Sequence, residues 1–218
     1  MRRDSPIRAV LFDWDGTLLD SFHADAHAYQ KMFGALGVSW SARDFERHYS
    51  PDWYRVYRAV GIPRARWGEA DRLWHHYYKQ HRPALMAGAQ RVLRILARRY
   101  VLALVTSGNR TRVARQLREF GLDGIFAARI CSEDADRRKP HPAPLREALR
   151  RLRLRPEECL YVGDAPEDIQ MARRAHVRAV AVLSPFSTRA KLRAARPAAV
   201  LSSIKALPTF LGVRVKRG

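Results

Sequence analysis

The sequence predicts an α/β fold: a parallel sheet with helices on both faces, and a small all-helical insert after the first strand. Three observations predict it. From residue 89 onward, short apolar runs alternate with amphipathic stretches, the pattern of strands joined by right-handed helical crossovers. Residues 38–82 carry no such run and hold four of the five tryptophans, many tyrosines and four histidines. Polar residues gather just after the apolar runs, and in parallel sheets ligands bind beyond the carboxyl ends of the strands.

Taken in order, residues 7–12 read as a buried strand ending at Asp13. Apolar residues at helical spacing over 21–36 predict a helix with Ser21 as a candidate N-cap and Gly37 as its end. Helices follow over 41–49, 51–60 and 64–81, broken at Ser50-Pro51 and Gly61-Ile62-Pro63. Pro83 and Gly88 mark the return to the α/β part. Helices are then expected over 89–99, 110–120, 142–152, 166–175, 187–195 and 203–211. The strands between them fall at 101–105, 127–131, 159–162, 178–183 and 198–201, and the tail from Val213 to Gly218 reads as frayed. This divides the chain into a core of residues 1–20 and 84–218 and a helical insert of residues 21–83.

The 218 residues carry a formal charge of +20, a pI near 11.1 and a mean hydropathy of −0.38. No segment reaches the roughly 20 apolar residues that span a bilayer. Met1-Arg2-Arg3-Asp4 leads into an apolar run too short for a secretory signal, so the expected compartment is the cytoplasm. Arginine supplies nearly all the positive charge and is scattered over almost every expected helix. No basic helix interleaves with base-stacking aromatics, so the charge reads as compositional rather than as a nucleic-acid surface. Its field still attracts anionic substrates such as phosphate esters. Cys131 and Cys159 lie in strand-like runs without Cys-x-x-Cys spacing and read as small buried hydrophobes.

Asp13-Trp14-Asp15-Gly16-Thr17-Leu18-Leu19-Asp20 is the richest segment. A carboxylate can attack phosphorus, and a second one two residues on can protonate the leaving oxygen and later activate water. Gly16 permits a sharp backbone turn, neighbouring N–H groups can hold phosphoryl oxygens, and Thr17 can donate its hydroxyl. Thr106-Ser107-Gly108-Asn109 follows the second strand, Lys139 lies beyond the third, and Gly163-Asp164-Ala165-Pro166-Glu167-Asp168 ends the fourth. Oxygen ligands of this type suit Mg²⁺, which offsets repulsion between a carboxylate nucleophile and a phosphate. Lys139 and Ser107 would steady the remaining oxygens.

These four segments, in this order, resemble the four motifs of the haloacid dehalogenase superfamily in its phosphatase branch. Residues 13–20 match its D-x-D-G-T-L-x-D motif completely, Ser107 the second, Lys139 of Lys-Pro-His-Pro the third, and Gly-Asp-x-x-x-Asp at 163–168 the fourth. The helical insert is similar to the type-one cap of the phosphoglycolate phosphatase and β-phosphoglucomutase group. The resemblance implies a Rossmann-like core, Asp13 as nucleophile and Asp15 as acid/base. It also implies Mg²⁺ held by Asp13, the Asp15 carbonyl and Asp164, with Asp168 in support. Phosphate contacts are expected from Gly16, Thr17, Ser107, Gly108, Asn109 and Lys139.

The dehalogenases lack the second aspartate of the first motif, so Asp15 argues against C–halogen hydrolysis. A Schiff-base chemistry needs a lysine in the insert, and neither Lys31 nor Lys79 is marked for it. The expected activity is hydrolysis of a small phosphoglycolate-like phosphomonoester by a monomer or homodimer. The alternative is a β-phosphoglucomutase-like mutase, against which stands the absence of a lysine close after Ser107. In the insert, His23 and His27 read as a packed polar pair. Trp40, Trp53, Tyr54, Trp67, Trp74 and Tyr77 are expected in its core, while adjacent His75 and His76 point apart on a helix and do not make a zinc site. Arg47, beside the polar break at 48–52, is the candidate for reading a second anionic group on the substrate, with Arg55 as its rival.

Overall fold

The computed structural model describes residues 6–213. Met1–Asp4 and the tail beyond Val213 lie outside the described residues. The chain forms two compact units, one of residues up to Leu19 and from Leu85 onward, the other of Asp20–Ala84.

The α/β unit is built on β1 (Ala9–Phe12), β2 (Val101–Val105), β3 (Ala128–Ile130), β4 (Cys159–Gly163), β5 (Arg178–Val182) and β6 (Ala199–Leu201). All neighbouring pairs are parallel, in the order β3-β2-β1-β4-β5-β6. The order reverses at β1, so the chain crosses over on both sides of that strand. Side chains alternate along each strand and split the interior into two layers. Val10, Phe12, Leu102, Leu104, Leu160, Val162, Val180 and Val182 face one layer. Ala9, Leu11, Ala103, Val105, Cys159, Tyr161, Ala179 and Ala181 face the other. The first layer is closed by α5 (Ala89–Leu96), α6 (Arg110–Glu119) and α10 (Leu207–Phe210). The second is closed by α7 (Ala143–Leu152), α8 (Pro166–Arg174) and α9 (Arg189–Ala194). A strand apolar on both faces, such as β1 with every residue buried, is stable only in a sheet covered on both sides.

The helical unit holds α1 (Phe22–Ala35), α2 (Ala42–His48), α3 (Trp53–Ala59) and α4 (Trp67–Tyr78). Gly37, at φ 76°, ends α1. The α2 helix opens on a reciprocal cap: Ser41 Oγ accepts from the Asp44 N–H at 3.2 Å, and an Asp44 oxygen accepts from the Ser41 N–H at 2.9 Å. The α1 and α4 helices pack through Ala24, Ala28 and Tyr78. Asp71 on α4 accepts from the hydroxyls of Tyr57 at 3.0 Å and Tyr54 at 3.3 Å on α3.

Several expectations change here. Ser21 sits at the N-cap position of α1, but its side chain makes no capping bond and its Oγ is buried without a hydrogen-bond partner. His27 pairs with His81 at 2.7 Å rather than with His23, which is exposed. Of the six aromatics expected in the insert's core only Trp40 is buried. The other buried aromatics of the insert are Tyr29, Phe33, Phe45, Tyr57 and Tyr78, while Trp53, Trp67 and Trp74 are half-buried, the last two against them. Cys131 and Cys159 are free and buried. Among the described residues no helix is long and apolar enough to cross a membrane.

Candidate active site

The site lies at the carboxyl ends of β1, β2 and β4, three adjacent strands. Asp13 follows β1 directly, and its N–H donates to the Val162 carbonyl at 2.9 Å, which continues the strand ladder into the site. The chain then folds back on itself. The Trp14 carbonyl accepts from Leu18 and Leu19 N–H at 2.9 Å each, and the Gly16 N–H donates to the Leu19 carbonyl at 2.8 Å. Gly16 takes φ 79°, and a Cβ there would run into Asp164 Oδ2 and lie 2.8 Å from Phe186. Its contribution is this close approach, since its N–H is already committed within the loop.

Lys139 is the electrostatic centre. It is 1% exposed, and its ammonium lies 2.5 Å from Asp13 Oδ1 and 2.8 Å from Asp168 Oδ1. Burial opposes its charge, but the two carboxylates outweigh that and hold its pKa above the ordinary lysine value. Asp13 titrates the other way. Burial pushes its carboxyl up to about 7, with Asp168 and Asp15 adding to the rise and Lys139 opposing it. Asp164 is also raised, first by burial and then by Asp13 and Asp168, against the hydrogen bonds of Ser184 and Thr17.

Each oxygen of Asp164 receives a hydroxyl: Thr17 Oγ1 donates to Oδ1 at 2.9 Å and Ser184 Oγ to Oδ2 at 2.5 Å. The Thr17 proton, expected on a phosphoryl oxygen, thus goes to Asp164. Asp168 is occupied from all sides. Its Oδ2 accepts from the N–H groups of Asp164 (3.2 Å) and Ala165 (3.0 Å) at the start of α8, and its Oδ1 lies 3.0 Å from the Tyr161 hydroxyl.

Oxygen atoms of Asp13, Asp164 and Asp168, one from each, all lie within 4.8 Å of one another. An all-carboxylate donor set suits a hard divalent cation. The raised pKa values of Asp13 and Asp164 point the same way, because one ammonium leaves these buried carboxylates short of positive charge. Asp13 and Asp164 could hold such a cation directly. Asp168 is tied to Lys139 and to two backbone N–H groups, which suits it to hold the others in place.

After β2, Ser107 is half-buried at the head of the loop. The Gly108 N–H donates to Thr106 Oγ1 at 3.0 Å, and Asn109 caps α6 by accepting from the Arg112 N–H at 2.8 Å. Gly108 and Asn109 thus shape this loop through local bonds. Arg47 is exposed in the last turn of α2.

Three residues of the site were missed by sequence reasoning. Ser184 follows β5 and holds Asp164. Tyr161 is buried in β4 and holds Asp168. Arg112, in the first turn of α6, grips Asp15 with two parallel bonds, Nη1 to Oδ1 at 2.8 Å and Nη2 to Oδ2 at 2.6 Å. The only available signal was position: Tyr161 lies in β4 and Arg112 beyond β2, both strands assigned to the site, while Ser184 follows β5, which was not.

Carboxylates and a lysine thus converge on the carboxyl edge of a parallel sheet. A sequence profile of haloacid dehalogenase-like hydrolases matches residues 10–182, and the chain belongs to that family. It is 30% identical over 217 residues to a phosphoglycolate phosphatase of Pectobacterium atrosepticum, covering 94% of this chain and 93% of that one. It is 27% identical over 213 residues to the pyrophosphatase PpaX of Oceanobacillus iheyensis, covering 94% and 97%. Its fold superposes on a hydrolase of Pseudomonas syringae with a TM-score of 0.86 at 23% identity, over 94% and 98% of the two chains.

Proposed function

We propose that the chain is a Mg²⁺-dependent phosphatase that hydrolyses a small phosphorylated metabolite through an aspartyl phosphate on Asp13. The observation that carries this is the buried Asp13 at the end of β1, paired at 2.5 Å with Lys139 and grouped with Asp164 and Asp168. Asp13 attacks phosphorus, the bond to the leaving oxygen breaks, and Asp15 supplies that oxygen with a proton. Asp15 then takes a proton from the water that attacks the aspartyl phosphate, which releases inorganic phosphate and restores both carboxyls. Ser107 and Lys139 hold phosphoryl oxygens as charge shifts. Mg²⁺, held by Asp13, Asp164 and the Asp15 carbonyl, would offset the repulsion between nucleophile and phosphate. The names of the relatives support two substrate classes, a phosphomonoester with a carboxylate tail and inorganic pyrophosphate. In both the leaving group is itself an anion.

The test is a phosphate-release screen over a metabolite panel with Mg²⁺, comparing the unaltered chain with Asp13→Asn. The variant is expected to lose nearly all turnover, and retained activity would refute the nucleophile. Isomerisation of a sugar phosphate without phosphate release would favour the mutase reading instead.

A further inference from the structure

Asp15 is where the hydrolase reading places the acid that protonates the leaving group. An acid in that role must touch the leaving oxygen. Whatever holds its carboxylate therefore stands beside the rest of the leaving group. In this chain the holder is Arg112, whose side chain is 9% exposed against 16% for Asp15, and whose two nitrogens take both carboxylate oxygens. The fork is kept in place from three sides. Asn109 fixes the backbone of Arg112 at the start of α6. Gln116 Oε1 accepts from the Trp14 indole at 2.9 Å and lies 3.5 Å from Arg112 Nη1. Gly108 leaves the room that the guanidinium fills, since a Cβ there would collide with Arg112 Nη2.

With both oxygens gripped, neither is open to a leaving oxygen until an arm of the fork lets go. A guanidinium fork matches a substrate carboxylate or phosphate as well as it matches Asp15. We propose that Arg112 recognises an anionic leaving group, exchanging Asp15 for the oxygens of that anion and thereby freeing Asp15 for proton transfer. Substrates whose leaving group carries its own carboxylate or phosphate would then unlock the acid themselves, and esters of neutral alcohols would not. This inference rests on the hydrolase reading and narrows it to a substrate class.

The experiment compares kcat/KM on three substrates with Mg²⁺ present: ethyl phosphate with a neutral leaving group, 2-phosphoglycolate with a carboxylate, and inorganic pyrophosphate with a phosphate. The unaltered chain is expected to prefer at least one anionic case over ethyl phosphate, and which one identifies the anion. Arg112→Gln should lower that preference roughly 10- to 100-fold, the range expected for losing hydrogen bonds to a charged group. Arg112→Lys, which keeps the charge and loses the fork, should fall between. A merely structural role would depress all three substrates together and leave the preference unchanged, which overturns the inference. So would an unaltered chain that prefers ethyl phosphate. If the unaltered chain hydrolyses none of the three, the hydrolase reading falls and takes the inference with it.

Discussion

Replacing Lys139 by Met removes the only cation the structure places between Asp13 and Asp168 among the described residues, while keeping a side chain of similar length. Lys139 is 1% exposed, and it lies 2.5 Å and 2.8 Å from the two carboxylates. Breaking a buried pair by removing one partner leaves an uncompensated charge and costs about 3–5 kcal/mol. For a chain of this size each kcal/mol moves the midpoint by about 2–4 °C, so the thermal midpoint at pH 8 should fall by roughly 6–20 °C. The cost should depend on pH in a known direction. The Asp13 carboxyl is already raised from 3.8 to about 7, so the folded chain binds that proton more tightly than the unfolded one. Stability from this group is present below about pH 4 and is lost as pH rises through about 7. Without the ammonium that opposes the rise, the carboxyl moves higher still. The gap between variant and unaltered chain should therefore widen from pH 5 to pH 8. Thermal melts followed by circular dichroism across that range measure it. A Lys139→Met protein that melts with the unaltered chain at pH 8, or whose deficit shrinks as pH rises, would refute the electrostatic account.

Gly16→Ala places a methyl group against Asp164 Oδ2 at a positive φ, costing roughly 1–2 kcal/mol of backbone strain before the clash. It should weaken Mg²⁺ binding in titration calorimetry, and an unchanged affinity would show that Asp164 is not held by this approach. Glu158 accepts from the Arg155 N–H at 2.9 Å and from Arg8 at 3.0 Å, contacts that lower its carboxyl to about 2. A lowered carboxyl stabilises the fold above about pH 4.5 and loses that contribution as pH falls towards 2. Glu158→Gln should thus lower the urea midpoint at pH 7 and make a smaller difference at pH 3. Equal differences at both would refute the assignment.

The fold was legible because its signals are local. Each strand of the α/β unit is a short apolar run bounded by turn residues, and β2 begins and ends where the pattern places it. Boundaries failed where geometry is shared between helix types. The stretch 64–81 begins as a 3₁₀ turn at Arg64–Arg66, and 203–211 splits into a 3₁₀ turn and a four-residue helix containing Pro208. The acidic groups and Lys139 stood out because their residue types and order carry the chemistry. Partners did not. Arg112 meets Asp15 across 97 positions and Ser184 meets Asp164 across 20, and nothing in an arginine-rich chain marks one guanidinium from its neighbours. Thr17, Gly108 and Asn109 show the same limit, since their partners within the chain are not written in the motifs. Gly108 and Asn109 bond within their own loop, whereas Thr17 reaches Asp164 across 147 positions.

Each unit closes its own ends. Within the α/β unit, Leu19 and Leu85 face each other as an antiparallel bridge, and the Met86 N–H donates to the Leu18 carbonyl at 2.8 Å. Within the helical unit, the Asp20 N–H donates to the Ala84 carbonyl at 2.9 Å. Topologically the whole helical unit is a hairpin loop, entered and left at neighbouring points. A tight turn at the same place would shorten that loop by about five doublings, each relieving about 0.6 kcal/mol of closure entropy. The carboxylates, Lys139 and Arg112 all belong to the unit that would remain. The insert is thus a cassette: evolution or an engineer can lengthen, exchange or excise it without rethreading the sheet that carries the chemistry.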